Sequence, residues 1–214
     1  MSAKRAAAAR KQLAASDPTM AALIERLGKI DVETRLRRRS EERPADAYGA
    51  LLRAIVGQQL STKAARTIYG RVLELFGGRT PTPEQLLEAE EKALRACGLS
   101  GRKVEYVRDL ASHVISGELE LDKLGELSDE EVVDEIVAVR GLGVWTAEMF
   151  LIFHLARPDV ISTGDLGIRR ATQVAYGLDE LPGPTELERI AEPWRPHRTL
   201  GCLYLWRSLD NAPV

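Results

Sequence analysis

Apolar residues recur every three to four positions along most of this chain, the spacing that lines one face of an α-helix, and the interruptions between runs read as helix caps. Met20, Leu23, Ile24 and Leu27 share one face of a segment that Asp17 and Pro18 open and Gly28 ends. Thr82-Pro83-Glu84-Gln85 is a capping box that starts "EQLLEAEEKALRAC", and Ser128-Asp129-Glu130-Glu131 is another that starts "EVVDEIVAV". The same period predicts helices over 45–56, 61–76, 102–116, 145–156, 165–176 and 198–209. Trp145, Met149, Phe150, Ile152 and Phe153 surround theirs with apolar side chains, the mark of a central, buried helix. Only "DVIST", 159–163, is β-branched enough to suggest a strand, and it is short. The pattern predicts an all-α protein of about ten helices in two lobes, joined near Gly117 and Arg195. Residues 1–15 read as an Ala/Arg-rich extension that frays, and 16–214 as the core, with a central lobe over 45–117 and a second lobe built from the N-terminal segment plus 118–214.

Composition narrows the class without naming a partner. Of the 214 residues, 29% are charged and 44% apolar, the profile of a soluble globular protein, and a net charge of -2 announces no polyanion. The distribution adds something. Lys and Arg are in excess between Lys4 and Arg43, including "RLRRRS" at 35–40, whereas the charged residues of 118–135 are almost wholly acidic. One face can therefore approach a polyanion while another is repelled, unless both are simply solvated. Cys97 and Cys202 are the only cysteines, too few for a disulfide framework or a four-thiolate cluster, and they fit a reducing compartment. No apolar run approaches about 20 residues and the N-terminus lacks the apolar core of a secretory signal. The expectation is a cytoplasmic protein with no membrane association.

The stretch "VRGLGVWTAEMF", 139–150, interrupts the helical pattern twice in three residues. Gly141 and Gly143 permit positive φ and, lacking a Cβ, let another molecule reach backbone amides at the start of the next helix. Such a helix start is a seat for phosphate, although a G-x-G between helices also serves as a plain corner. Fifteen residues or so further on, "DVISTGDLGIRR" delivers Asp165 at a predicted helix start, where a carboxylate is favoured as the anion. It reads either as an ordinary N-cap or as a functional acid.

Together these blocks resemble the helix-hairpin-helix DNA glycosylases with a Gly/Pro-rich loop and a single aspartate, the superfamily of base-excision repair. Within it the chain is similar to the alkylbase (3-methyladenine) branch. "SDPTMAALIERLG", "LLRAIVGQQLSTKAA" and "WRPHRTLGCLYLWR" extend the resemblance over 16–211. It implies a two-lobed helical fold with double-stranded DNA containing alkylated bases bound across a cleft, and a protein acting as a monomer. Matching positions imply that the amides of Gly141, Gly143, Val144 and Thr146 hold phosphate, and that the carbonyls of Val137, Val139 and Leu142 hold a monovalent cation, Na or K. Asp165 falls on the catalytic aspartate, and Trp145 and Trp206 on aromatic pocket positions. Met149 stands where some relatives have a pocket tyrosine. Gln59 matches the residue that wedges into the duplex, with Leu60 or Ser61 assisting. No organic cofactor is implied, and the four-cysteine pattern of an iron-sulfur cluster is missing.

Chemistry connects these positions. A base within a duplex must be turned out before its glycosidic carbon can be reached, and a wedge fills the hole. An alkylated purine is cationic, so indole faces can select it at about 0.5–2 kcal/mol each. Loss of the base makes C1′ an oxocarbenium ion, which Asp165 would stabilise, unless it orients and deprotonates water. Bifunctional relatives carry lysine at the position of Trp145, so the resemblance implies a monofunctional enzyme that leaves an abasic site. Thr163 replaces a proline common in relatives and Gly164 an acidic residue, which implies a looser loop before Asp165. Arg195, His197 and Arg198 read as phosphate ligands or as caps of the last helix, with capping favoured for His197. Three other readings stay open: a DNA-binding module without chemistry, a glycosylase for oxidised or mismatched bases, and a structural bundle with no salt-dependent DNA affinity.

Overall fold

A computed structural model describes residues 3–30 and 46–210; the basic run 35–40 lies outside the described residues. Twelve α-helices and one 3-10 turn fall among them, with no strand: α1 Ala3–Ser16, α2 Pro18–Leu27, α3 Ala47–Gly57, α4 Thr62–Leu75, α5 Pro83–Glu88, α6 Glu91–Ala96, α7 Gly101–Ser116, α8 Asp129–Ala138, α9 Val144–Phe153, α10 Leu166–Tyr176, α11 Pro184–Ala191, the 3-10 turn Glu192–Trp194 and α12 Arg198–Asp210. The all-α reading therefore holds. Both capping boxes form as the sequence predicts, at Thr82 and at Ser128.

The chain divides into two compact units, one drawn from Met1–Arg39 and Leu151–Val214 and the other from Ser40–Phe150. In the first, α2 packs on α1, α10 and α12. Its core holds Leu13, Met20, Ile168, Leu187, Trp194, Leu203 and Tyr204, all at most 1% exposed. In the second, α7 packs on α3, α5 and α6 around Leu52, Ile55, Leu86, Leu94 and Val107.

Four departures from the sequence reading have local causes. Residues 3–16, expected to fray, form α1, because Ala9 and Leu13 lie one helical turn apart and both are buried. The single helix expected after Thr82 is broken at Ala89 and Glu90, both extended, where the Arg108 guanidinium donates to the Ala89 carbonyl at 2.8 Å. Helix α11 adds to the helices expected from the period, with Pro184 at its first position and Leu187 and Ala191 buried. The lobe boundary expected near Gly117 is instead a division at 150/151. Residues beyond Gly117 stay with α7 through the Leu119 amide on the His113 carbonyl (3.0 Å) and the Arg140 amide on Asp109 (2.8 Å).

One buried carboxylate ties the first unit together. Oδ1 of Asp17 accepts the amides of Thr19 (2.8 Å) and Met20 (3.0 Å) and so caps α2. Its Oδ2 accepts the Tyr176 hydroxyl from the end of α10 and the Trp194 indole N–H at 2.9 Å. Burial first, and Asp17 second, push the Tyr176 phenol far above the ordinary tyrosine range. The raised pKa means that folding favours the neutral phenol, so this stability is intact below about pH 10 and is lost as the pH rises above it.

Denaturant unfolding should show Asp17→Ala to be less stable by about 3 kcal/mol, since a cap is lost and two buried donors are stranded. A cost under about 1 kcal/mol would contradict this role. Wild-type stability should fall between pH 9 and pH 11, and Tyr176→Phe should flatten that fall.

Candidate active site and nucleic-acid interface

The sequence around Asp165 builds a held carboxylate. Asp165 is the N-cap of α10, in extended conformation, and its Oδ1 accepts the Ile168 amide at 2.8 Å. The same oxygen accepts the indole N–H of Trp206, from α12, at 3.0 Å. A Cβ on Gly167 would sit 3.0 Å from that oxygen and 3.4 Å from the Trp206 ring, so glycine is what lets the two meet. Phe153 stacks on Trp206 with centroids 5.7 Å apart, fixing the plane of the indole. Sequence reasoning singled out neither Gly167 nor this stack.

The loop that delivers Asp165 is "DVIST", and it forms no strand because its polar groups are taken by α12. Thr199 Oγ1 accepts the Val160 amide (3.0 Å) and donates to the Arg157 carbonyl (2.7 Å). The Asp165 amide closes a turn on Ser162 at 3.3 Å, so the segment with Thr163 and Gly164 is pinned at both ends rather than loose. Arg195 and Arg198 both pair with Asp159, at 2.7 and 3.0 Å. His197 bonds Gln12 at 3.1 Å instead of capping the last helix with its side chain. Neither arginine is held out toward a phosphate.

In the other unit, α8 and α9 form the helix-hairpin-helix. Gly141 has φ of +82°, and a Cβ there would lie 2.2 Å from the Tyr106 ring of α7. Gly143 differs: a Cβ would meet nothing within 4 Å, and its carbonyl accepts the amides of Thr146 (2.8 Å) and Ala147 (3.1 Å). Among the described residues, the amides of Gly141, Gly143 and Val144 donate to no protein acceptor, and these are the donors a phosphate would use. Thr146 leaves that set, because its amide is spent on Gly143 and its side chain is buried. Among the described residues, nothing donates to the carbonyls of Val137 and Leu142, while Val139 accepts the Leu142 amide at 3.1 Å. Two unused carbonyls and a third with a spare lone pair are a donor set suited to a hard monovalent cation.

At the start of α9, Val144 (53%) and Trp145 (50%) are exposed, whereas Met149 and Phe150 are buried. The buried helix expected from the sequence thus has an exposed first turn. Gln59 and Leu60 are exposed, and Gln59 holds φ of +57°, a conformation that costs a non-glycine residue about 1 kcal/mol. Ser61 caps α4 through the Ala64 amide at 3.3 Å. Beneath this loop, Gln58 Nε2 donates to the Gly141 carbonyl at 2.6 Å, and Lys103 Nζ donates to the carbonyls of Val56 (2.7 Å) and Gln58 (2.9 Å). These two anchors carry no signal in the sequence beyond polar residues on a loop and on a helix.

Residues 52–196 match the pattern of the HhH-GPD superfamily of base excision DNA repair proteins, a span that includes Gln59, the hairpin and Asp165. The chain belongs to that superfamily. Trp206 lies ten residues beyond the matched HhH-GPD span, which ends at residue 196. The DNA-3-methyladenine glycosylase 1 of Schizosaccharomyces pombe is 35% identical over 190 residues, 88% of this chain and 82% of that protein. A crystal structure of a DNA-3-methyladenine glycosidase from Bacillus halodurans is similar with a TM-score of 0.81 and 38% identity, over 94% of this chain and 88% of its own. A structure of the Schizosaccharomyces pombe 3-methyladenine DNA glycosylase in complex with abasic DNA gives 0.79 and 31%, over 95% of this chain and 97% of its own. Among the described residues of this HhH-GPD protein, no helix is long and apolar enough to cross a membrane.

The two hairpin glycines should respond differently to a methyl group. Gly141→Ala must displace Tyr106 and adopt a strained φ, and denaturant unfolding should show a loss of about 2–4 kcal/mol. Gly143→Ala should stay within about 1 kcal/mol of wild type. Equal stabilities for the two variants would overturn this assignment.

Proposed function

We propose that this chain is a monofunctional DNA glycosylase that turns alkylated bases of the 3-methyladenine type out of duplex DNA and hydrolyses their N-glycosidic bond, leaving an abasic site. The observation that carries the reading is the Asp165 carboxylate, held on one oxygen by the Ile168 amide and the Trp206 indole. Support comes also from the relatives, which bear the names of DNA-3-methyladenine glycosylases, one of them bound to abasic DNA.

Breaking the bond sends its electron pair to the base, which neutralises a cationic purine, and leaves positive charge on C1′. A carboxylate that is already oriented needs no reorganisation as that charge develops. Asp165 acts here as an electrostatic stabiliser, and water then adds to C1′ and loses one proton to solvent. Trp206 and Trp145 offer indole faces to the electron-poor base. Met149 lines its surroundings with a polarisable, apolar side chain. Gln59 fills the vacated stack, aided by Leu60 and Ser61. The amides of Gly141, Gly143 and Val144 seat a phosphate, and the carbonyls of Val137, Val139 and Leu142 would hold a monovalent cation there, adding positive charge beside it. Tryptophan at 145 has no amine to attack C1′, so no Schiff base forms. The enzyme works as a monomer in the cytoplasm, a reducing compartment that suits its two buried cysteines, neither of which is in a disulfide.

Incubation with duplex DNA methylated at adenine should release 3-methyladenine. Asp165→Asn should lower the single-turnover rate by about 10²–10³-fold while DNA affinity persists. Borohydride should trap no covalent complex with wild type. Excision undiminished in Asp165→Asn, or a trapped adduct, would sink the reading.

A further inference from the structure

Gln59 stands in a left-handed conformation that a glutamine adopts only when its surroundings impose it. It belongs to a tight turn that the Leu60 amide closes on the Gly57 carbonyl at 3.2 Å, and three contacts with groups outside that turn hold it in place. Lys103 reaches under the end of α3 and donates to the carbonyls on either side of Gly57, those of Val56 and Gln58. This places a cation at the negative end of the helix, and the site is buried enough to push the Lys103 ammonium below the ordinary lysine range. Gln58 then points away from Gln59 and donates to the Gly141 carbonyl, so adjacent residues face the hairpin and solvent.

The hairpin end is held by the same helix. Tyr106 lies against Gly141 where any side chain would collide, and Asp109 accepts the Arg140 amide at 2.8 Å. Lys103, Tyr106 and Asp109 are spaced by three, so they form one line along α7. An acidic, an aromatic and a basic residue at that spacing would ordinarily be a solvated face. Here each one ends on the backbone of a loop.

We propose that this line on α7, with the Gln58 amide, is a brace that locks the wedge loop and the phosphate-seating hairpin into one body, so that Gln59 enters the duplex at a fixed distance from the gripped phosphate. Gln58 and Lys103 are positioning residues: they touch no DNA and act through Gln59. The inference rests on the function proposed above for the hairpin and the wedge. Its physical content is that insertion needs no loop ordering at the moment of binding, since the cost of the left-handed glutamine is met in the free protein.

The test reads wedge insertion without chemistry. A duplex carrying a tetrahydrofuran abasic analogue, with 2-aminopurine as the adjoining base, gains fluorescence when a side chain unstacks that base. Wild type should produce the gain. Gln58→Leu and Lys103→Met, each in the full chain, should weaken the insertion equilibrium about tenfold. In a Gln59→Ala background neither should have any further effect, because the brace has lost what it positions. Full additivity with Gln59→Ala, or insertion at the wild-type level in Gln58→Leu, overturns the brace. Should Lys103→Met fail to fold, Gln58→Leu, at a partly exposed site, carries the test alone. Excision of 3-methyladenine by wild type is followed in parallel. Its absence beside a normal insertion signal would reject the glycosylase reading and leave the brace standing, whereas no insertion signal in wild type would reject the brace.

Discussion

The Asp165 carboxylate faces the donors that fix it, the Ile168 amide and the Trp206 indole, and much of the first unit is arranged so that this meeting can happen. Gly167 leaves out a Cβ that would crowd both groups. Thr199 and Asp159 pin the loop before Asp165 to the start of α12, the helix that also carries Trp206. At the far end of α10, Tyr176 is anchored on Asp17, as is Trp194 just before α12 begins. The carboxylate is thus positioned through both ends of α10 and through the start of α12. Electrostatic stabilisation depends on such pre-orientation more than on the number of charges.

The hairpin shows two uses of glycine within three residues. Gly141 is bare for an internal reason, the Tyr106 ring beneath it and a positive φ. Gly143 is bare toward open space, where an anion can lie on the amides around it. The stretch of backbone that reads as one proposed phosphate seat is therefore open on one side and a packing joint on the other. That joint makes α7 part of the DNA-facing machinery proposed here, although none of its side chains in this line would touch DNA.

Elements bounded by caps were legible in the sequence: Asp17-Pro18, the two capping boxes and Asp165 itself all act where local chemistry says they should. What local pattern could not supply was tertiary. The break at Ala89 depends on an arginine nineteen residues away, and α1 persists through the burial of Ala9 and Leu13. The candidate site divides in the same way. Asp165, Trp206, Gln59 and the hairpin are candidates from sequence because their residue types suit the chemistry and recur in a known family. Gln58, Lys103, Tyr106 and Gly167 act through contacts with residues distant in sequence, and nothing in their own neighbourhood announces them. Sequence places Thr146 at a helix start but does not say that the turn consumes its amide.

The central claim is that a fixed anion at residue 165 stabilises positive charge on the sugar. Its most direct measure is the affinity for two duplexes that differ only at the abasic position, one with a neutral tetrahydrofuran and one with a pyrrolidine that is cationic at neutral pH. Wild type should bind the cationic duplex at least about tenfold more tightly, and Asp165→Asn should bring the two affinities together. Equal affinities in wild type, or a preference that survives in Asp165→Asn, would contradict the claim.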